Sequence, residues 1–176
     1  LNRGRVLASA GLMNPQIRYG EDLMSRVSYV MLNPGGEREL TDAVRGALNE
    51  LGTKVAGEVG ATTADIYDIA VVGNPIMHHL LFGIDPTELG GAPFALASGA
   101  AQTVKAEEIG LHFNPECRLY ALPLIAGHVG ADAAGVVLSE KPHLADEATL
   151  LVDIGTNAEI VLGNKARLLA CSSPTG

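Results

Sequence analysis

The segment from Leu150 to Ile160 contains residue types that suit a phosphate-binding turn. Its apolar stretch predicts a buried strand that ends near Asp153, and Gly155 then lets the backbone turn without a side chain in the way. Thr156 and Asn157 offer backbone N–H groups and short polar side chains to phosphate oxygens. The carboxylate of Asp153 suits a hydrated Mg²⁺, which prefers oxygen ligands. An ordinary β-hairpin in which Asp153 caps the turn is the alternative.

A second group of glycines lies between Gly127 and Gly135, directly before and within a run of small residues. Gly127 and Gly130 predict a flexible loop that enters a helix, and Asp132 near the helix N-terminus is favoured by the helix dipole. The glycine spacing is not the Gly-x-Gly-x-x-Gly of dinucleotide-binding folds. The segment therefore predicts either one wall of a ligand site or a capped helix that packs closely on its neighbour.

Asn74 lies in a third candidate segment, where a β-branched stretch passes into a helical pattern through Gly73-Asn74-Pro75. Pro75 suits the first position of a helix. Asn74 could hydrogen-bond a phosphate or cap this helix, and the cap is the favoured interpretation. His78 and His79 follow on the same helix, and adjacent helical residues point about 100° apart, so they cannot chelate one ion together.

Composition and charge exclude several classes of protein. The 176 residues, 47% of them hydrophobic, suit one domain or one domain plus part of a second. The net charge of -8, with no Lys/Arg cluster, argues against a nucleic-acid partner. The longest apolar stretch is too short to span a bilayer. Cys117 and Cys171 stand in unlike contexts, which predicts reduced thiols in a cytoplasmic protein. The Walker A, His-Glu-x-x-His and Gly-x-Ser-x-Gly motifs are all missing from the sequence.

Hydrophobic periodicity predicts an α/β fold with a mixed sheet. The predicted helices cover residues 21–31, 37–59 and 131–140, with a further helix that starts at Pro75. The predicted strands cover residues 5–10, 66–72 and 118–122, and residues 90–107 are predicted to be mainly loop. Residues 66–72 are almost continuously apolar, which favours a strand covered on both faces. After a polar connector at 141–147, a three-stranded meander is predicted at residues 149–154, 158–162 and 166–171.

Five segments together resemble the reductive activators of corrinoid proteins, namely residues 14–26, 73–86, 127–138, 152–162 and 172–176. The resemblance covers almost the whole chain in order. It implies an actin/sugar-kinase/chaperone-like (ribonuclease H-like) core, a mixed sheet with flanking helices in which two half-domains clamp ATP and Mg²⁺. It further implies an N-terminal ferredoxin domain with a 2Fe-2S cluster, and a corrinoid protein as partner. Such activators couple ATP hydrolysis to the electron transfer that returns cobalt(II) corrinoid to cobalt(I).

The resemblance also implies functions for individual residues. Asp153, Gly155, Thr156 and Asn157 match the second phosphate loop, in which Asp153 is catalytic and binds the metal ion. Residues 127–138 match the first connecting helix, in which Asp132 faces the cleft as a second catalytic residue. Gly127, Gly130 and Asn74 are the other expected cofactor-binding residues.

The chain also departs from the family pattern. The first phosphate loop, Asp-x-Gly-Thr-Thr, has no match, and neither do the ferredoxin cysteines. We therefore expect residues 1–146 to form the first half-domain without its opening phosphate hairpin, and 147–176 to form the first meander of the second. The incomplete core predicts a fragment of a longer protein, and no ATP turnover by the chain alone, because a phosphate clamp needs both loops. The alternative functions are a small-molecule kinase of the same superfamily and a non-catalytic nucleotide-binding scaffold. For the oligomeric state, a homodimer is one alternative.

Overall fold

Within residues 4–155 and 157–175, which the computed structural model describes, four α-helices and six β-strands follow one another along the chain. The helices are α1 Leu23–Leu32, α2 Gly36–Glu58, α3 Pro75–Phe82 and α4 Ala131–Glu140. The strands are β1 Asp68–Val71, β2 Gln102–Lys105, β3 Arg118–Ala121, β4 Thr149–Ile154, β5 Asn157–Asn164 and β6 Arg167–Pro174. The predicted α/β class is confirmed.

The first sheet is mixed and has the strand order β1-β3-β2. Strand β3 is parallel to β1 and antiparallel to β2, so that Leu119 lies opposite Ile69 on one side and Val104 on the other. Leu119 and Ala121 are buried in a core formed with Leu81 and Leu111. Burial of such aliphatic side chains is the main favourable contribution to folding.

The helices α1, α2 and α3 pack on one another through a second core. Asp22 caps α1 in a reciprocal capping box with Ser25, which satisfies N–H groups that the helix leaves free. In α2 the apolar positions recur at helical spacing, so that Leu40 is fully buried against Ile76 and Leu80 of α3. Thr41 donates its hydroxyl hydrogen to the Leu80 carbonyl at 2.8 Å. These contacts fix the position of α3, whose N-terminus borders the candidate site.

Strands β4, β5 and β6 form a separate antiparallel meander. Side chains alternate between its two faces, because successive residues of a strand point in opposite directions. The inner face, which includes Leu151 and Val161, lies toward α4, whereas Ile154 on the outer face is 77% exposed. Lys165 fastens the second turn to the connector through an ion pair with Asp146 and a backbone hydrogen bond to the Ala145 carbonyl.

The structure corrects three predictions about strands. Residues 5–10 are irregular and largely exposed, since their weak alternation meets no partner strand in the described part of the chain. Strand β1 lies at the edge of its sheet, where Asp68 and Ala70 are exposed, so it is not covered on both faces. Strand β2 was predicted to be loop, because its residues Gln-Thr-Val-Lys carry little hydrophobic pattern and the strand depends on pairing with β3.

The predicted helices and the meander are confirmed to within a few residues at their ends. None of the helices in the described ranges is both long enough and apolar enough to cross a membrane.

Candidate functional site

A cleft of about 270 Å³ lies where the helical part of the chain meets the meander. The N-terminal ends of α1, α3 and α4 border it on one side, and the first turn of the meander borders it on the other. An adjoining depression shares Asp22, His128 and Asn157 with it and extends it toward Ser172. We call this continuous groove the site cleft. Among the residues predicted from the sequence, the cleft brings together Asn74, Asp132, Asp153, Gly155 and Asn157.

Asp153 lies near the end of β4 on the inner face of the meander, half-buried beside α4. The strand register places it directly opposite Glu159 of β5. Like charges at directly opposed positions of an antiparallel pair destabilise the sheet. A carboxylate pair at this position is therefore a feature that a bound cation would stabilise.

Glu159 is a cleft residue that the sequence analysis did not select. Its carboxylate accepts a hydrogen bond of 3.1 Å from the Ser172 hydroxyl on β6. Burial raises the pKa of Glu159, and the nearby carboxylates of Asp132 and Asp153 add to that increase. The alternation of side chains along β5 could have identified Glu159 from the sequence. Once the position of the β4–β5 turn is fixed, this alternation places Glu159 on the same face of the meander as Asp153.

Asp132 lies in the first turn of α4, on the helical side of the site cleft. Its carboxylate accepts a hydrogen bond of 2.9 Å from the backbone N–H of Ala133. Burial raises its pKa, and the charge of Asp153 acts in the same direction. Three carboxylates from two parts of the chain thus face one another across the site cleft.

Asn74 caps α3, as the favoured interpretation of its sequence predicted. Its side-chain oxygen accepts a hydrogen bond of 3.0 Å from the Met77 N–H. The residue also lines the site cleft, so its amide group lies at the surface that a ligand would contact. The contact of Asn74 with phosphate stays a prediction.

Gly130 lets the N-terminus of α4 approach the turn before α3. A Cβ atom at this position would lie 2.6 Å from both Asn74 Cα and the Gly73 carbonyl oxygen, closer than packed atoms can approach. The first N–H of α4, that of Ala131, donates to the same Gly73 carbonyl at 2.9 Å. Gly130 therefore has a packing function that positions Asp132 and Asn74 next to each other.

Gly127 packs against the loop that precedes β2. A Cβ atom at Gly127 would lie 2.1 Å from the Phe94 carbonyl oxygen. Neither Gly127 nor Gly130 is among the described residues that line the site cleft. Their predicted contact with a cofactor stays a prediction, while their close backbone contacts place the loop that carries His128.

The turn between β4 and β5 is tight. The Gly155 N–H donates to the Asn157 carbonyl at 2.8 Å, and the Thr175 hydroxyl donates to the Gly155 carbonyl at 2.9 Å. Asn157 lines both parts of the site cleft. Thr156, the remaining predicted phosphate-binding residue, lies outside the described residues.

Two basic side chains line the site cleft without having been predicted. Arg26 is buried and donates to the Gly20 carbonyl at 2.9 Å and to the Gln16 side chain at 3.2 Å. The His128 ring lies edge-on to the Phe94 ring, with centroids 4.5 Å apart. Both residues lie in segments that carry the family resemblance, 14–26 and 127–138, but the sequence analysis assigned neither of them to the site.

The residues of the site cleft fit Mg²⁺ bound together with phosphates. In the described ranges 4–155 and 157–175, no three His, Cys, Asp or Glu side chains are arranged to hold a metal ion by themselves. Mg²⁺ in nucleotide sites takes one or two carboxylates and completes its shell with water and phosphate oxygens. The converging carboxylates of Asp132, Asp153 and Glu159 are suited to that kind of binding.

The mixed α/β body, the antiparallel meander and the acidic cleft at their junction define a protein of the actin-like (ASKHA) fold class. Residues 1–144 match the family model described as the RACo middle region, and residues 147–176 match that of the C-terminal domain of RACo, the ASKHA domain. The chain therefore belongs to the family of reductive activators of corrinoid proteins.

Two relatives illustrate the similarity. The corrinoid activation enzyme RamQ of Eubacterium limosum is 32% identical over 176 residues, which are 100% of this chain and 29% of that protein. A solved structure of a reductive activator for corrinoid, iron-sulfur protein has a TM-score of 0.93 and 38% identity, and covers 97% of this chain. The match spans 28% of the solved chain, so this chain corresponds to less than a third of either relative.

Proposed function

We propose that the chain is part of an ATP-dependent activator that returns cobalt(II) corrinoid proteins to cobalt(I). In this proposal, ATP hydrolysis drives electron transfer from a 2Fe-2S domain elsewhere in the longer protein, and a corrinoid protein is the partner. The cysteines Cys117 and Cys171 are free thiols, which supports a cytoplasmic location. Membership of the activator family supports the overall activity.

The observation that carries the proposal is the convergence of Asp132, Asp153 and Asn157 at one cleft. Asp132 comes from α4, whereas Asp153 and Asn157 come from the meander. These residues are distant in sequence and line one cleft only in the folded chain. Asp153 would hold Mg²⁺, and Asp132 would orient or deprotonate the attacking water. Gly155 would let the backbone turn at the phosphate site, and Thr156 and Asn157 would offer it backbone N–H groups and short polar side chains.

The proposed domain division follows the two sheets. Residues 1–146 carry the mixed sheet and its helices, and residues 147–176 carry the meander. The site cleft then lies at the boundary, with ligands contributed from both sides. Mg²⁺ bound there would neutralise charge on the phosphates, and the chain's own residues would bind and orient them.

The decisive experiment uses this chain expressed together with the coding sequence that flanks it. ATP-dependent reduction of a cobalt(II) corrinoid protein is followed by its visible absorbance, with and without ATP. Asp153→Asn should lower the rate at least about 100-fold, since it removes the charge that binds the metal ion. Asp42→Asn, which removes an exposed carboxylate from α2, is the matched control and should leave the rate unchanged.

Two outcomes would overturn the proposal. One is reduction at the same rate without ATP, and the other is an Asp153→Asn protein that is as active as the Asp42→Asn control. The 176-residue chain on its own is included in the same assay, because we expect no ATP turnover from it. Phosphate release by the isolated chain would contradict that expectation.

A further inference from the structure

His79 is a buried polar residue that the proposed chemistry does not use. Its side chain is 0% exposed, and the ring Nδ1 lies 2.8 Å from the Pro75 carbonyl oxygen. The other ring nitrogen, Nε2, lies 3.3 Å from the backbone nitrogen of Ala97. A backbone N–H can only donate, so Nε2 must accept and Nδ1 must carry the proton that is donated to Pro75. Both hydrogen bonds are therefore satisfied by one neutral tautomer.

The hydrogen bond to Ala97 joins α3, whose first turn borders the site cleft, to a segment that does not itself line the cleft. Pro75 belongs to the first turn of α3, next to the cleft residue Asn74. Ala97 belongs to the exposed, irregular segment of residues 91–99, which we call the 91–99 loop. A loop without regular structure is placed by a small number of anchors, and here they include the packing of Leu96 on the second core and the bond to His79.

The 91–99 loop in turn contacts the wall of the cleft. The Phe94 ring lies edge-on to the His128 ring at 4.5 Å, and the Phe94 carbonyl fills the space beside Gly127. Phe94 has a φ of 58°, a left-handed conformation that is uncommon for a bulky residue and that needs support from its surroundings. His128 lines both parts of the site cleft. A continuous set of contacts thus leads from His79 to His128.

We propose that His79 is a positioning residue of the site cleft: it holds the 91–99 loop on α3, and Phe94 of that loop holds the His128 ring at the cleft wall. His128 is then the side chain that offers an imidazole to a bound phosphate. This last step rests on the proposed nucleotide-binding function, whereas the positioning of His128 does not.

His78 provides a matched control within the same helix. It is also buried, at 5% exposure, but neither of its ring nitrogens has a hydrogen-bond partner. A substitution at His78 therefore changes a buried histidine of α3 without breaking a bond to the 91–99 loop. Effects that follow from burial alone should appear at both positions.

The first test reads the position of His128 by NMR of the full chain labelled at its histidine rings. The chain has five histidines, so each ring signal can be assigned by single substitutions. The Phe94 ring should shift the His128 signals, and Phe94→Ala should remove that shift. His79→Gln keeps an acceptor that can reach the Ala97 N–H and should preserve the shift, whereas the shorter His79→Asn should lose it. His78→Leu should leave it unchanged.

Equal His128 signals in His79→Asn and in the unaltered chain would overturn the proposal, as would loss of the shift in His78→Leu. If His79→Asn fails to fold, the comparison of His79→Gln with Phe94→Ala decides. If His79→Gln loses the His128 shift to the same extent as Phe94→Ala, an acceptor at position 79 does not hold the loop. That result also overturns the proposal.

The second test measures the affinity for ATP with Mg²⁺ of the same variants expressed together with the flanking coding sequence, because the first phosphate loop has no match in this chain. His79→Asn and Phe94→Ala should each weaken binding by roughly tenfold, the effect of losing one well-placed polar contact, and His78→Leu should not. If the His128 shift is lost but the affinity is unchanged, His79 does not position a ligand-binding group and the proposal fails. If the longer protein without substitutions binds no ATP, the nucleotide function fails while the result on His128 stands.

Discussion

At the scale of single residues, several side chains at the cleft serve the fold and the candidate site together. Asn74 caps α3 and lines the cleft, and Glu159 is held by Ser172 while facing two other carboxylates. Substitution of such a residue to alanine changes stability and binding at the same time. Substitutions that keep one of the two interactions are therefore more informative than alanine.

Asn74 allows this separation. Asn74→Ala should lower the free energy of unfolding by about 1 kcal/mol, because the Met77 N–H loses its cap. Asn74→Asp keeps a cap acceptor and should restore most of the stability, but it adds a negative charge to an acidic cleft. Urea unfolding and ATP titration of both variants check this. If Asn74→Asp binds ATP as well as the unaltered chain does, Asn74 is a cap with no contact to phosphate.

His78 predicts a pH dependence of stability. Burial lowers the pKa of His78 to about 4, with a smaller contribution from His79. The unfolded chain therefore takes up a proton near pH 6.5 and the folded chain only near pH 4, so stability is full above pH 6.5 and falls as the pH is lowered through that window. The loss amounts to roughly 3 kcal/mol.

The measurement is urea unfolding from pH 7.5 to pH 4.5 for the unaltered chain and for His78→Leu. The difference in unfolding free energy between the two proteins should change in favour of His78→Leu as the pH falls. Asp132 and Glu159 have raised pKa values and act in the opposite direction, but equally in both proteins. A difference that stays constant with pH would show that His78 is accessible to protons in the folded chain.

At the scale of elements, the sequence predicted what depends on local pattern. The helices α1, α2 and α4 follow from apolar spacing, caps and breakers, and the meander follows from its two turn signals. Strand β2 was missed because its four residues are held by pairing with β3 rather than by their own pattern. Whether a strand lies at the edge or in the centre of a sheet also depends on which other strands pair with it. The sequence of β1 does not contain this information, so its burial was overestimated.

The packing of α2 can be tested with two identical substitutions in one helix. A Cβ atom at Gly52 would lie 2.1 Å from the Phe113 ring, whereas one at Gly46 would meet nothing within 4 Å. Gly46→Ala should therefore raise stability by up to about 1 kcal/mol through helix propensity. Gly52→Ala should lower it by about 1–3 kcal/mol, because the packed ring has to move. Thermal unfolding of both variants decides, and equal effects would refute the close contact.

At the scale of the whole molecule, the site depended on information that local patterns do not contain. The family resemblance predicted that Asp132 and Asp153 face the same cleft. Local sequence pattern could not predict this, because the two residues lie in different elements. Glu159 and His128 could not, because the first needs the strand register and the second needs the position of the 91–99 loop. The sequence therefore predicted the acidic centre of the cleft and missed much of its rim.

The meander and the mixed sheet differ in how far apart in sequence their paired strands lie. Its strands pair with their immediate neighbours, so that Thr149 meets Gly163 and Asn164 meets Arg167. The parallel pair β1 and β3 instead joins Asp68 to Arg118 across a long intervening segment. Loop-closure entropy makes distant pairings slow, while hairpins form in roughly 1–10 μs. During refolding of the complete chain, the glycine turn and Asp153 should therefore acquire their native geometry before the sheet on the other side of the cleft has assembled.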